Sequence, residues 1–146
     1  MVEVPALSRR ARSLAIVGAG LFLAGLLQGL AVDRFVNPRM ALSAHLDAVQ
    51  SGMAVMIAAL FWVHAGLSGW AEPVARWTLA AGMTGLWIAL TLAAATGASD
   101  SLPMAGAGHA GSAVAERTVT ILIVTSSVGI VTGWSLLLWG LVRASR

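Results

Sequence analysis

The sequence predicts an all-α fold, an integral membrane four-helix transmembrane bundle, and three observations carry that expectation. Of its 146 residues, 58% are hydrophobic and 10% charged, with a mean hydropathy of +0.86; one small soluble domain has too little interior for so much apolar surface. The apolar residues fall into four runs of about 20, enough to cross roughly 30 Å of hydrocarbon. All 9 cationic residues are arginines at the ends of those runs, as at the flanks of membrane spans. No basic stripe exists to follow a nucleic-acid backbone, so no nucleic-acid partner is expected. With no Cys there are no disulfides, thiolate ligands or Cys nucleophiles.

Residues 1–146 read as a single membrane domain. A head carrying Arg9, Arg10 and Arg12 precedes the first span, residues 13–32, whose length and lack of a following cleavage site set it apart from a signal peptide. Asp33, Arg34, Asn37, Pro38 and Arg39 make the first connection. Pro38 cannot extend a preceding helix and Ser43 is the candidate N-cap, so the second span is expected over residues 44–65 with His45 in its first turn. A tight turn follows, flanked by Trp62, Trp70 and Trp77 as expected interfacial anchors. The third span is residues 74–96 and the fourth 117–142. Between them the Gly-rich residues 97–115 are expected to fold back over the bundle mouth; they lack the strand and the Lys-Ser/Thr of a phosphate-binding loop. Small residues every fourth position from Ala81 to Gly97, and the pairs Gly25/Gly29 and Gly129/Gly133, predict close helix packing. Four short spans bury little, so a homo-oligomer is expected. Six arginines against three place both termini in the cytoplasm of a bacterial-type inner (plasma) membrane.

Polar chemistry concentrates between Asn37 and Gly52. On a helix His45 points one way, while Asp47 lies about 200° round and shares a face with Gln50 and Ser51. From the residues alone His45 is either a metal ligand or a wetted first-turn histidine. Asp47 is either a proton carrier or a first-turn Asp that supports the helix N-terminus. His64 reads as an interfacial residue, Asp100 and Glu116 as solvated loop charges, and Glu72 with Arg76 as a surface pair. Hydroxyls of the fourth span are expected to bond back to their own helix.

The run Asn37-Pro38-Arg39-Met40, Ser43, His45-Leu46-Asp47 and Gly52-Met53 resembles the hydroxylaminobenzene mutases. More weakly it is similar to the styrene oxide isomerases, in which an Asn stands six residues after a haem-ligating His; Ser51 occupies that place here. The resemblance implies an isomerase that converts a phenylhydroxylamine to an ortho-aminophenol in aromatic compound degradation, with ferric haem b as Lewis acid in a dry intramembrane pocket. It implies a non-covalent haem with iron on His45, and Arg39 and Met53 as further cofactor-binding residues. Asp47, Gln50 and Ser51 would be catalytic, and Asn37 and His109, the latter in Gly-His-Ala-Gly, second-rank pocket residues. A homotrimer with haem near subunit interfaces is the implied assembly. Epoxide isomerisation to an aldehyde is the alternative within the resemblance. From a different class, a four-span transporter is disfavoured because the first span offers only Gln28 and the third and fourth no interior charge. An electron carrier with two axial histidines is disfavoured by the placement of His64 and His109.

Overall fold

The computed structural model describes residues 7–144, so Arg146 lies outside the described residues. Among those residues there is no strand. Helix α1 (Arg9–Gly29) is followed by a 3-10 turn (Val32–Arg34), then α2 (Pro38–Phe61), α3 (Ala71–Thr96) and α4 (Ala113–Ala144). All four α-helices are long and apolar enough to cross a membrane. At 1.5 Å per residue they run from about 32 Å for α1 to about 48 Å for α4.

The bundle is two hairpins. α1 packs along α2 and α3 along α4; α2 against α3 joins them, and α1 touches α3 only lightly. Missing side chains set both close pairings. A Cβ on Gly52 would lie 2.6 Å from the backbone N of Phe22 and 2.7 Å from Gly18 O, so α1 and α2 cross there with their backbones in contact. A Cβ on Gly82 would lie 2.9 Å from the backbone N of Ile130, and one on Gly133 2.6 Å from Leu79, which brings α3 and α4 together in the same way. The glycine pairs therefore serve contacts within the chain. Leu14, Leu21, Val55, Leu79 and Leu137 fill one apolar cluster, and Met40, Ala44, Leu90, Ala93 and Val119 another.

Several local expectations change. α2 begins at Pro38 rather than near Ala44, because Asn37 is the N-cap: its Oδ1 accepts from Met40 N at 3.0 Å, and Pro at the first helical position loses no helical bond. Ser43, instead of capping, donates its hydroxyl back to Arg39 O at 3.2 Å. His45 thus sits about two turns into α2, and Asp47 is beyond the reach of the helix N-terminus, which removes the capping role. Trp62 is buried in the apolar core rather than anchored at an interface, whereas Trp70 and Trp77 are exposed. Thr125 and Thr132 do bond back to Ile121 O and Val128 O, both at 2.8 Å.

The charges are more structural than their spacing indicates. Glu72 is not on the surface: its side chain is 5% exposed and meets Arg76 at 3.3 Å and Arg10 at 3.5 Å, tying the start of α3 to the start of α1. Glu116 is not a free loop charge. Its carboxylate accepts from Ser99 N (2.9 Å), Asp100 N (3.0 Å) and Gly111 N (2.9 Å), buckling the loop onto the first turn of α4. The loop leaves α3 through Gly97, whose φ of +77° a side chain would strain. Asn37 secures it from the other side, donating Nδ2 to Ala105 O and its backbone N–H to Ala94 O, each at 3.0 Å.

Fully buried Asn37 thus joins α2, α3 and the loop. Asn37→Ala should lower unfolding stability in micelles by about 3 kcal/mol, from a lost cap and unpaired buried backbone groups. Asn37→Ser, which keeps a capping oxygen, should lose about half of that. Equal denaturation midpoints for Asn37→Ala and the wild type would show that the amide is idle.

Candidate functional site

His45 stands on the side of α2 that faces α1, and two glycines of α1 receive it. The ring packs against Gly29, where a Cβ would come within 2.9 Å of both Cε1 and Nδ1. One turn earlier, Gly25 O lies 2.7 Å from Nδ1. A helical carbonyl keeps a second lone pair beyond its ladder bond, and a carbonyl only accepts, so Nδ1 must carry the proton. The neutral ring then has its lone pair on Nε2. A backbone carbonyl that orients a histidine and fixes its tautomer in this way is the usual support behind a metal-ligating imidazole.

His45 is half-buried, and the outward side of α2 around it is apolar, with Leu42, Leu46 and Met53 exposed. No group of three His, Asp or Glu side chains converges on a metal position among the described residues. A single oriented imidazole is the donor that a metal carried in a planar macrocycle takes from a protein. The fixed tautomer of His45 fits that requirement.

Asp47 and Ser51 are brought together, as i, i+4 spacing predicts: the Ser51 hydroxyl hydrogen-bonds the Asp47 carboxyl. Ser51 is buried, Gln50 is exposed, and Asp47 Oδ2 is buried with no hydrogen-bond partner. This pair and His45 sit on different sides of α2, about 200° apart, so one chain does not turn them toward a common point. Arg39 and Met53 are exposed on α2, about 120° and 80° around the helix from His45. Asn37 is taken up by the cap and the loop. His109 is half-buried within the loop; its N–H donates to Gly106 O at 2.9 Å, its carbonyl accepts from Ser99 Oγ at 2.8 Å, and its Nδ1 is buried without a partner. His64 is exposed in the turn just beyond α2. The clefts of about 460 Å³ between α3 and α4, beside Gly85 and Ser126, and of about 550 Å³ beside Glu116 and Arg117, are lined by neither His45 nor Asp47.

Sequence reasoning missed the α1 half of this arrangement. Gly25 and Gly29 were visible as a small-residue pair, but a histidine resting against them from 20 residues away leaves no local mark. Gly29→Ala should drive the ring from its carbonyl and cost about 1–3 kcal/mol, the usual scale of overpacking. An Ala variant with wild-type stability, in which His45 Nδ1–H still resists exchange with solvent, would show that the ring has room to spare.

Residues 10–142 match the family model for styrene oxide isomerase. The chain is 35% identical over 132 residues to the hydroxylaminobenzene mutase HabB of Ectopseudomonas oleovorans, covering 90% of this chain and 80% of that protein. It is 34% identical over 127 residues to HabA, a hydroxylaminobenzene mutase of the same organism, covering 86% and 94%. No solved structure matches.

Proposed function

The chain belongs to the styrene oxide isomerase family and is an isomerase, and from that premise we propose that it rearranges phenylhydroxylamines to ortho-aminophenols with a ferric haem b bound through His45. The observation that carries the haem is the His45 ring, with Nδ1–H given to Gly25 O and the Nε2 lone pair left free. The substrate class follows from the two mutase relatives, each aligned over most of its length. The family model's name favours a second reading, isomerisation of an aryl epoxide to an aldehyde.

Converting a phenylhydroxylamine to an ortho-aminophenol breaks one N–O bond and forms one C–O bond at the ortho carbon. The hydrogen displaced from that carbon leaves as a proton and nitrogen gains one, so formula and oxidation balance are unchanged. When bound, the haem would supply an electron-poor iron that polarises the N–O bond. His45 would hold it, with Met53 and Arg39 on the exposed side of α2 as further contacts. Asp47 is the proton carrier: its unpartnered, buried Oδ2 is free to take the ring proton and return it to nitrogen. Ser51 orients the Asp47 carboxyl, and Gln50 binds the migrating oxygen. The apolar flank of Leu42 and Leu46 keeps water from the cationic stage of the rearrangement.

The exposed apolar flank of α2 beside His45, formed by Leu42, Leu46 and Met53, is where a second copy would cover the haem. That contact is head-to-tail and closes as a ring, here a trimer, in a bacterial-type inner membrane with both termini cytoplasmic. His45→Ala should lose the Soret band together with activity, while His64→Ala keeps both; full haem occupancy without His45 would sink the assignment. Asp47→Asn should retain the fold and the haem spectrum yet turn over roughly 10²-fold more slowly, the scale of a lost general acid–base. Normal turnover in that variant would remove Asp47 from the chemistry. Assays of phenylhydroxylamine and styrene oxide without reductant decide between the two substrate classes.

A further inference from the structure

Gln28 is the one strongly polar side chain in the apolar run of α1, and the chemistry above leaves it unused. It is buried between α1 and α3, where Oε1 accepts from Trp87 Nε1 at 2.6 Å and Nε2 donates to Thr91 Oγ1 at 3.2 Å. An amide in apolar surroundings holds such partners tightly, since no water is present to replace them. Packing between α1 and α3 is otherwise slight, so these two bonds fix where the end of α1 lies relative to α3. Gln28 also stands between Gly25 and Gly29, the two residues that receive His45.

We infer that Gln28 is a positioning residue for His45: by tying α1 to Trp87 and Thr91, it holds the Gly25 carbonyl where that carbonyl keeps the imidazole in its Nδ1–H form with Nε2 free. Coupling passes through α1 as a rigid element, because the amide and the carbonyl are less than one turn apart on the same helix. α2 and α3 pack on each other directly, so α2 keeps its place when the clamp is removed. What moves is the last turn of α1, beyond the glycine seam that holds the rest of the helix on α2, and with it the acceptor for Nδ1. An amide that only strengthened the bundle would alter melting and leave the histidine tautomer as it was.

The functional value of this arrangement rests on the proposal that His45 Nε2 ligates haem iron, but the tautomer can be read without haem. In full-length protein labelled with 15N-histidine in micelles, ring nitrogen shifts separate protonated from unprotonated nitrogens, and His45→Ala assigns the signal among the 3 histidines. The wild type should show His45 in the Nδ1–H form alone. Gln28→Met, similar in volume but unable to form either bond, should show a mixture of tautomers. Its haem affinity should fall about 10- to 100-fold, the range for losing a group that orients a metal-ligating histidine. Should Gln28→Met fail to fold, Trp87→Phe, which keeps Gln28 and its bond to Thr91, carries the test with the same expected shift toward a mixture. A pure Nδ1–H signal in the variant that folds would overturn the role of Gln28. Failure of the wild type to take up haem would instead sink the proposed cofactor, while the tautomer result still decides what Gln28 does.

Discussion

At the glycines of α1 and α2 the two backbones come into contact, and the His45 end of the molecule depends on that. At Gly18 and Gly52 the two helices approach until an added methyl group would strike a main-chain atom, and near Gly25 and Gly29 the gap admits one imidazole ring and no more. Such proximity lets a side chain of one helix reach a carbonyl of the other, which a bulkier seam would shield. In a membrane, where lipid is as apolar as leucine, this close packing is itself a main source of helix association. The feature that brings the hairpin together is therefore also the one that fixes the histidine.

Four polar side chains in the rest of the chain follow one rule: each links separate elements. Gln28 spans α1 and α3; Glu72 collects arginines from both; Asn37 joins α2, α3 and the loop; Glu116 holds the loop by its backbone. Hydrocarbon makes an unpaired polar group expensive, so a few such links define the arrangement of helices whose apolar faces would tolerate sliding.

This rule explains which features were legible in the sequence. The four spans were, because length and hydropathy are local and lipid demands continuous helices. Asn37 followed by Pro38 is a local start signal too, and in the structure it prevails over Ser43 because proline suits the first helical position. Pairing of Asp47 with Ser51 was legible from helix periodicity alone. The burial of Glu72, the loop-holding role of Glu116 and the carbonyl behind His45 were not, since each depends on a partner supplied by another helix or loop. Trp62 shows the same limit: a tryptophan near the end of an apolar run has the same local sequence context whether it faces lipid or core.

Assembly as two hairpins has a consequence for the order in which the protein is made. A growing chain presents α1 and α2 to the membrane first, and that pair alone contains the glycine seam, the histidine and its carbonyl. The orientation of His45 can thus be set during synthesis, before half of the protein exists, and the bonds from Trp87 and Thr91 arrive later to lock a geometry already formed. α4, touching little besides α3, closes the sequence of events without disturbing what precedes it. Errors in the second hairpin would then leave a histidine that is correctly facing but insecurely held, a distinct fault from one that was never placed.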